Sequence, residues 1–297
     1  RPVDIHLAGL AAMGAEVELE GIAVTLRRTG PLHGVDFTLR LPSVGATMTL
    51  LMAACCAQGR TVLRGAAREP EIGDMIAFLC ACGADISGYG TSILTVQGGR
   101  PLGGAVHAPL PDRIAAATYA AALAAAGGDI RITSCNPALY GAFLQFLAQT
   151  GVQIENGPDW AGLARNPAVP LRGGVQLCAD AWPAFATDTA PLAAAVLLAA
   201  EGKSEIFDRL FPNRFACAAG FAAMGAEVTA KGRRLMIAGG SRLRGAAVTA
   251  PDLRGGAALL VAALGADGTT TLRDPGHIRR GYADLPGEIR RLGAEIG

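Results

Sequence analysis

The sequence predicts an α/β protein in which a βαβαββ repeat recurs, with sheets on the outside and apolar helices on the inside. Two patterns predict this class: a glycine-ended helix that returns about every 70 residues, and one helix in each repeat that is apolar on every side. The composition agrees, because 51% of the 297 residues are hydrophobic and only 17% are charged. This length is sufficient for two domains.

The recurring element is a helix that ends near a Gly-Ala-acid sequence and leads into a short strand. Glycine suits this position, because the left-handed conformation that follows a last helical turn carries no Cβ penalty there. Successive glycines of the series lie 69, 68, 74 and 68 residues apart: Gly14, Gly83, Gly151, Gly225 and Gly293. The spacing predicts the back half of a repeat over residues 1–30, full repeats over 31–99, 100–172 and 173–240, and a repeat without its last two strands over 241–297.

Each of the three full repeats, and the incomplete repeat over 241–297, also contains a helix with no polar face. We expect these helices within residues 48–59, 114–128, 192–202 and 256–268. A helix without a polar face has no side for solvent and is therefore buried. A solenoid of stacked repeats is the alternative, but we favour clustered helices because each needs cover on several sides. We divide the chain into a partial first domain, residues 1–109, and a second domain, residues 110–297.

Composition also excludes several classes of function. A net charge of +1, from 26 basic and 25 acidic residues, gives no reason to expect a nucleic-acid partner or an anionic membrane surface. The histidines and the seven cysteines have no metal-ligand spacing, and no cofactor motif is present, so we expect neither metal nor cofactor. The cysteines are expected to be buried free thiols in a cytoplasmic protein.

Charged and hydroxyl side chains gather where the apolar helices begin. They are Ser43, Asp112 with Arg113, Asp188, and Asp252 with Arg254. A helix N-terminus presents free N–H groups and positive partial charge, so it binds an anion or is capped by Asp, Ser or Thr. Capping explains any one of these residues alone. Four equivalent positions on packed helices indicate a common face.

Arginines form a second pattern at the ends of elements. Their planar guanidinium groups match carboxylates and phosphates, although ordinary surface arginine is the alternative for each alone. The arginines in question are Arg1, Arg68, Arg113, Arg214, Arg254 and Arg280.

Eight segments stand in an order that identifies a family. They are Arg1-Pro2-Val3-Asp4, Pro42-Ser43-Val44-Gly45, Arg68-Glu69-Pro70-Glu71-Ile72, Pro111-Asp112-Arg113-Ile114, Phe185-Ala186-Thr187-Asp188, Asn213-Arg214-Phe215, Asp252-Leu253-Arg254, and His277-Ile278-Arg279-Arg280-Gly281-Tyr282. Together they resemble the UDP-N-acetylglucosamine enolpyruvyl transferases (1-carboxyvinyltransferases) along essentially the whole chain. The resemblance implies the enolpyruvyl transferase fold, an inside-out α/β barrel in which each of two domains contains βαβαββ units around buried helices.

The resemblance also implies an activity. Such an enzyme transfers the enolpyruvyl group of phosphoenolpyruvate to the 3-hydroxyl of UDP-N-acetylglucosamine and releases phosphate, the first committed step of peptidoglycan precursor synthesis. It implies Asp188 as general base, Arg1 and Arg280 as groups that hold the phosphate and carboxylate of phosphoenolpyruvate, and Arg254 as a nearby arginine of the active site. An aspartate has an ordinary pKa of about 4, so positioning must contribute more than basicity.

Further residues are implied as contacts to the two substrates, and we expect the site to lie in a cleft between domains near residues 108–111. Besides Asp188, the implied substrate-binding residues are Arg1, Pro2, Val3, Asp4, Ile5, Leu41, Pro42, Ser43, Val44, Arg113, Leu210 and Arg214. The partners are therefore expected to be small molecules.

The sequence departs from the family at two places. An N-terminal segment of the family, with a Lys-Asn pair and a loop whose Cys or Asp protonates phosphoenolpyruvate, is not in this chain. We therefore assign no acid, and expect the chain alone to be inactive and poorly soluble. Thr189-Ala190-Pro191-Leu192 also replaces a more polar stretch.

Two alternatives stay open. One is an enzyme similar to 5-enolpyruvylshikimate-3-phosphate synthase, against which the opening Arg-Pro-Val-Asp segment favours a sugar nucleotide. The other is a non-catalytic paralogue that binds a sugar nucleotide.

Overall fold

A computed structural model describes residues 2–297; Arg1 lies outside the described residues. The chain forms two compact units. The N-terminal unit contains the chain up to Leu110 together with Ala181–Pro183, and the C-terminal unit contains Pro111–Asp180 and Ala184–Gly297.

The N-terminal unit contains half a repeat followed by a full one. Its elements are α1 (Asp4–Ala12), β1 (Glu16–Glu20), β2 (Ala23–Arg27), β3 (Asp36–Thr38), α2 (Val44–Cys56), β4 (Gly59–Arg64), α3 (Pro70–Ala81), β5 (Asp85–Ser87) and β6 (Ile93–Gly98). Strands β1 and β2 form an antiparallel hairpin. The other strands form a sheet of order β3-β4-β6-β5, in which β3 and β4 are parallel and the remaining pairs are antiparallel. The predicted order of strands and helices is confirmed here.

The C-terminal unit contains the remaining repeats. Its elements are α4 (Arg113–Ala126), β7 (Gly128–Thr133), α5 (Gly141–Thr150), β8 (Gln153–Asn156), β9 (Trp160–Arg165), β10 (Gln176–Asp180), β11 (Phe185–Ala186), α6 (Ala190–Leu197), β12 (Ser204–Asp208), α7 (Ala218–Ala223), β13 (Val228–Lys231), β14 (Arg234–Ile237), β15 (Ala247–Thr249), α8 (Leu253–Leu264), β16 (Thr271–Arg273) and α9 (Leu285–Arg291). Short 3₁₀ helices lie at Pro137–Tyr140, Thr187–Thr189 and Ile278–Arg280. The sheets have the orders β7-β9-β8, β11-β10-β12-β14-β13 and β15-β16.

Equivalent backbone contacts recur in different repeats. For the repeats over 31–99, 173–240 and 241–297, an isolated parallel bridge joins a residue at or near the start of the repeat to the turn after its apolar helix: His33 with Gln58, Arg172 with Glu201, and Arg244 with Asp267. The next residue is glycine each time, and its N–H donates to the same partner's carbonyl at 2.7–2.8 Å. The repeat found in the sequence therefore corresponds to a repeated backbone structure.

The glycines that end the surface helices have the conformation that the sequence predicts. Their φ angles lie between 90° and 104° at Gly14, Gly83, Gly151, Gly225 and Gly293. Any other residue is strained there, because its Cβ would approach the backbone.

Three apolar helices form the core of the C-terminal unit. Each of α4, α6 and α8 packs against the other two, and every residue of α6 is buried. Strand β12 alternates between buried and half-buried positions, as expected for a sheet that covers helices with one face. The prediction of internal apolar helices beneath sheets is confirmed for this unit.

Several details of the prediction were wrong. Helix α2 is not buried on every side, since Met52 is 49% exposed and Cys56 is also exposed, as are Cys80 and Cys178. Helix α2 packs on α1 and α3 but lacks the two apolar neighbours that α6 has. The predicted helix over 192–202 ends at Leu197.

The second repeat also lacks its predicted first strand, because residues 100–112, all of them described, form none. Pro101, Pro109 and Pro111 provide no N–H for a strand ladder in this segment. Within residues 2–297, no helix combines the length and the apolar character of a membrane span.

We predict that Gly245→Ala destabilises the C-terminal unit. An added Cβ would collide with the backbone carbonyl of Thr269, and such overpacking typically costs about 1–3 kcal/mol. Chemical denaturation measures the change. Gly141→Ala is the matched control, because the Cβ meets nothing within 4 Å at the start of α5. Equal stability of the two variants would contradict the close approach.

Candidate functional site

Each of the three core helices has an aspartate at or just before its N-terminus, but these aspartates have different partners. Asp112 caps α4, since its Oδ1 accepts the N–H groups of Ile114 and Ala115 at 2.8 and 3.0 Å. Asp252 caps α8 in the same way, with the N–H groups of Arg254 and Gly255 at 2.9 and 2.8 Å. Simple capping therefore accounts for these two carboxylates, as it does for Ser43 at α2.

Asp188 is different, because its carboxylate lies between two guanidinium groups. Oδ1 lies 3.1 Å from Nη2 of Arg214, and Oδ2 accepts a hydrogen bond from Nη2 of Arg254 at 3.0 Å. The side chain of Asp188 is 33% exposed, whereas those of Arg214 and Arg254 are 7% and 16% exposed. Ion pairs on both oxygens hold the carboxylate in a fixed orientation while one side stays accessible.

Arg214 is in turn held by Asp208 and Thr187. Its Nε lies 3.5 Å from Oδ2 of Asp208, and its Nη2 donates to Oγ1 of Thr187 at 3.1 Å. The guanidinium also lies over the ring of Phe211, 4.4 Å from the ring centre. Thr187 and Asp188 are adjacent, so Arg214 joins the strand end at Asp208 to the turn before α6.

Asp208 is fully buried, and it contacts both Arg214 and the backbone of the loop after β12. Its Oδ1 accepts the N–H groups of Leu210 and Phe211 at 2.8 and 2.7 Å, while Oδ2 faces Arg214. A buried carboxylate requires such partners, because desolvation of an unpaired charge is costly. The loop after β12 is therefore folded around this one side chain.

The electrostatic surroundings of Arg254 include Tyr282 as well as Asp188. Burial lowers the pKa of Arg254, but Asp188 and Tyr282 outweigh that effect, so the pKa is raised overall. Burial raises the pKa of Tyr282, although hydrogen bonds with Thr118 and Arg254 oppose it. At neutral pH the guanidinium is therefore charged and the phenol is protonated.

The remaining predicted residues of the C-terminal unit lie on elements that adjoin this cluster. Arg113 is buried in the first turn of α4. Arg280 ends a 3₁₀ helix that packs against α8, and its side chain is exposed. Leu210 is half-buried in the loop held by Asp208. The structure thus brings Asp188, Arg214 and Arg254 into direct contact.

In the N-terminal unit, the two predicted substrate-binding segments are joined by an ion pair. Asp4 accepts a hydrogen bond from Nε of Arg40 at 3.1 Å, and Arg40 directly precedes Leu41. This hydrogen bond lowers the pKa of Asp4. The segment with Pro2, Val3 and Asp4 is exposed and Ile5 is buried; Leu41, Pro42, Ser43 and Val44 are half-buried.

Sequence reasoning assigned no role to Asp208 or Thr118, and it named Tyr282 only as the end of a family segment. Each carried a weak signal: Asp208 is a charge that follows an apolar strand, Thr118 is a hydroxyl in an alanine-rich helix, and Tyr282 lies two residues after Arg280. In the part of the chain that the structure describes, no three His, Cys, Asp or Glu side chains are grouped to hold a metal ion.

We predict that Asp208→Ala destabilises the C-terminal unit strongly, because it leaves two N–H groups without their acceptor and removes a carboxylate that is ion-paired with the buried guanidinium of Arg214. Breaking a buried ion pair typically costs about 3–5 kcal/mol. Asp208→Asn keeps an acceptor for the loop and is expected to cost less. Asp267→Ala, which removes an exposed partner of Arg242, is the control and should cost at most about 1 kcal/mol. Urea denaturation of the three variants tests this order.

Comparisons with known proteins agree on one family. The family model described as EPSP synthase (3-phosphoshikimate 1-carboxyvinyltransferase) matches residues 1–289. A UDP-N-acetylglucosamine 1-carboxyvinyltransferase of Cellvibrio japonicus is 41% identical over 296 residues, which cover 100% of this chain and 70% of the relative. The enzyme of that name from a Chelativorans species is 39% identical, with 100% and 68% coverage.

Solved structures give the same fold. The enolpyruvyl transferase NikO from Streptomyces tendae superimposes with a TM-score of 0.87 at 28% identity, over 99% of this chain and 72% of that one. EPSP synthase from Acinetobacter baumannii superimposes with a TM-score of 0.71 at 21% identity, over 100% of this chain and 72% of that one, and supports the fold alone. The solenoid alternative is therefore wrong. The chain belongs to the EPSP synthase family of enolpyruvyl transferases, and within it to the UDP-N-acetylglucosamine 1-carboxyvinyltransferases.

Proposed function

We propose that the protein transfers the enolpyruvyl group of phosphoenolpyruvate to the 3-hydroxyl of UDP-N-acetylglucosamine and releases phosphate. The observation that carries this proposal is the partly exposed carboxylate of Asp188 between Arg214 and Arg254. A site with one reactive carboxylate and several guanidinium groups suits a reaction between a hydroxyl and an anionic substrate. The 39–41% identity to enzymes with this name supports the choice of substrate.

Asp188 is the proposed general base. The 3-hydroxyl oxygen attacks C2 of phosphoenolpyruvate, its proton passes to Asp188, and an acid delivers a proton to C3, which gives a tetrahedral ketal. Loss of phosphate, with removal of a proton from C3, then yields the enolpyruvyl ether. A carboxylate is a weak base, so its two ion pairs contribute mainly by holding the accepting oxygen in position. We assign no residue as the acid at C3.

The arginines are proposed to bind the anionic groups. Once Asp188 accepts a proton it no longer balances Arg214 and Arg254, so positive charge becomes available while the anionic ketal forms. Fixed charges directed at a developing charge usually provide the largest catalytic contribution. Arg254, Arg280 and Arg1 are proposed to hold the phosphate and carboxylate of phosphoenolpyruvate, with Arg113 beside them on α4.

The nucleotide is proposed to bind the N-terminal unit. Its contacts would come from the segment Pro2, Val3, Asp4 and Ile5 and the segment Leu41, Pro42, Ser43 and Val44, supported by the Asp4–Arg40 ion pair between the segments. On the C-terminal unit, Leu210 and Arg214 are proposed as further contacts.

The proposed reaction belongs to the synthesis of peptidoglycan precursors. Through it the protein would contribute to cell-wall biogenesis, cell shape and cell division, in the cytoplasm where nucleotide-activated sugars are made. Its partners would be two small molecules.

We predict that the full-length protein releases phosphate from phosphoenolpyruvate only when UDP-N-acetylglucosamine is present. The assay couples phosphate release to a colour change, with shikimate 3-phosphate as the alternative acceptor. Turnover with shikimate 3-phosphate and none with the sugar nucleotide would favour the second family activity. Binding of the sugar nucleotide by calorimetry without any turnover would favour a non-catalytic paralogue.

We predict that Asp188→Asn abolishes turnover, by a factor of about 10³ or more, because the amide accepts no proton at neutral pH. The affinity for UDP-N-acetylglucosamine should change by less than about tenfold, since the amide keeps the shape of the side chain. Steady-state kinetics and calorimetry measure the two quantities. Asp267→Asn is the control, because Asp267 forms an exposed ion pair with Arg242 in the connection between α8 and β16. A rate near that of the wild type would refute the assignment of the base.

A further inference from the structure

The buried guanidinium of Arg214 faces two adjacent residues of the turn before α6. Its Nη2 donates a hydrogen bond to Oγ1 of Thr187 at 3.1 Å and also lies 3.1 Å from Oδ1 of Asp188. A terminal guanidinium nitrogen carries two hydrogens, so one Nη2 group can serve both acceptors. The hydroxyl of Thr187 and the carboxylate of Asp188 are therefore connected through a single nitrogen.

The other contacts of Arg214 fix its position better than its rotation. Oδ2 of Asp208 lies 3.5 Å from Nε, and among the described residues Nε has no hydrogen-bond partner. The ring of Phe211, 4.4 Å away, covers one face of the guanidinium but does not stop it from turning in its own plane. A hydrogen bond requires alignment of donor and acceptor, whereas attraction between charges does not. The bond to Thr187 is therefore the contact that orients the guanidinium relative to Asp188.

Burial makes this hydrogen bond difficult to replace. Thr187 is 8% exposed, and the side chain of Arg214 is 7% exposed. A buried donor without an acceptor is unfavourable. If Oγ1 of Thr187 is removed, the Nη2 group turns towards another acceptor, and its contact with Asp188 changes as well.

We propose that Thr187 is a positioning residue that orients Arg214 so that the guanidinium holds Oδ1 of Asp188. This inference rests on the proposed function for its effect on rate, because Asp188 is the general base there. With Arg214 on Oδ1 and Arg254 on Oδ2, the carboxylate keeps one orientation towards its exposed side. Thr187 needs no contact with substrate for this role.

Thr189 offers a matched control in the same 3₁₀ helix, Thr187–Thr189. It is 2% exposed, and its hydroxyl donates to the carbonyl of Ala186 at 2.9 Å. Valine at either position keeps the shape of the side chain and removes one buried hydroxyl. The two hydroxyls flank Asp188, but that of Thr187 is bonded to Arg214 and that of Thr189 to the backbone.

The test compares Thr187→Val, Thr187→Ala, Thr187→Ser and Thr189→Val in the full-length protein, at a temperature where circular dichroism shows each to be folded. We expect Thr187→Val and Thr187→Ala to lower kcat by about 10- to 100-fold, because small displacements of reacting groups have effects of that size. KM for UDP-N-acetylglucosamine should change by a smaller factor, since Asp208 and Phe211 keep Arg214 in place.

The two remaining variants separate the oxygen of Thr187 from the stability of the turn. Thr187→Ser retains the oxygen, so its kcat should stay within about threefold of the wild type. Thr189→Val should lower Tm about as much as Thr187→Val does, while its kcat stays within about twofold of the wild type. A kcat within twofold of the wild type in Thr187→Val, or an equal loss in Thr189→Val, would overturn the inference.

A double variant tests whether Thr187 acts through Arg214. Arg214→Lys keeps a positive charge beside Asp188 and Asp208 but lacks the planar fork. Adding Thr187→Val to Arg214→Lys should therefore change kcat by less than about twofold. Multiplied losses would show that Thr187 acts independently of the guanidinium and would also overturn the inference.

A readout without catalysis separates this inference from the proposed function. In nitrogen-15 spectra, the Nη2 hydrogens of Arg214, identified by their loss in Arg214→Lys, should exchange slowly with solvent in the wild type and in Thr189→Val. In Thr187→Val they should exchange at least about fivefold faster, as expected when one hydrogen bond is lost. Unchanged exchange would overturn the positioning role, whereas an inactive wild type with the expected exchange would overturn only the proposed reaction.

Discussion

The mutual packing of α4, α6 and α8 is the constraint on which the site depends. These helices have no polar face, so each can be covered only by the others and by the sheets outside them. Charged side chains are then restricted to the helix ends, where free N–H groups and solvent are available. Asp188 and Arg254 meet because they occupy equivalent ends of helices that pack together, although 66 residues separate them.

Charge balance explains why the site contains more than the reacting carboxylate. Arg214 is almost fully buried, and Asp188 alone would have to compensate both Arg214 and Arg254. Asp208 provides the second negative charge, and its Oδ1 accepts two backbone N–H groups while Oδ2 faces Arg214. If Asp188 loses its charge during the reaction, Arg214 keeps a counterion. The buried ion pair thus makes a change of charge at Asp188 compatible with a folded site.

The sequence predicted what depends on local rules. Glycines with positive φ at helix ends follow from the backbone alone, so the repeat and its boundaries were readable. The contact of Asp188 with Arg254 was predicted in outline, since both stand at starts of apolar helices. The role of Asp208 could not be predicted, because it depends on the path of the loop after β12. That path is held by the hydrogen bonds that the N–H groups of Leu210 and Phe211 donate to Asp208. The exposed side of α2 was missed for a similar reason, since burial depends on neighbours in space.

Two glycines allow close packing between the first turn of α8 and the turn after the 3₁₀ helix Ile278–Arg280. A Cβ on Gly256 would lie 3.0 Å from Cγ1 of Ile278, and one on Gly281 would lie 2.8 Å from Cδ2 of Leu253. These glycines therefore let the turn after Ile278–Arg280 approach the first turn of α8 more closely than any other residue would. That approach brings the turn with Tyr282 close to the first turn of α8, which carries Arg254, so Gly256 and Gly281 contribute to the geometry at this end of the helix.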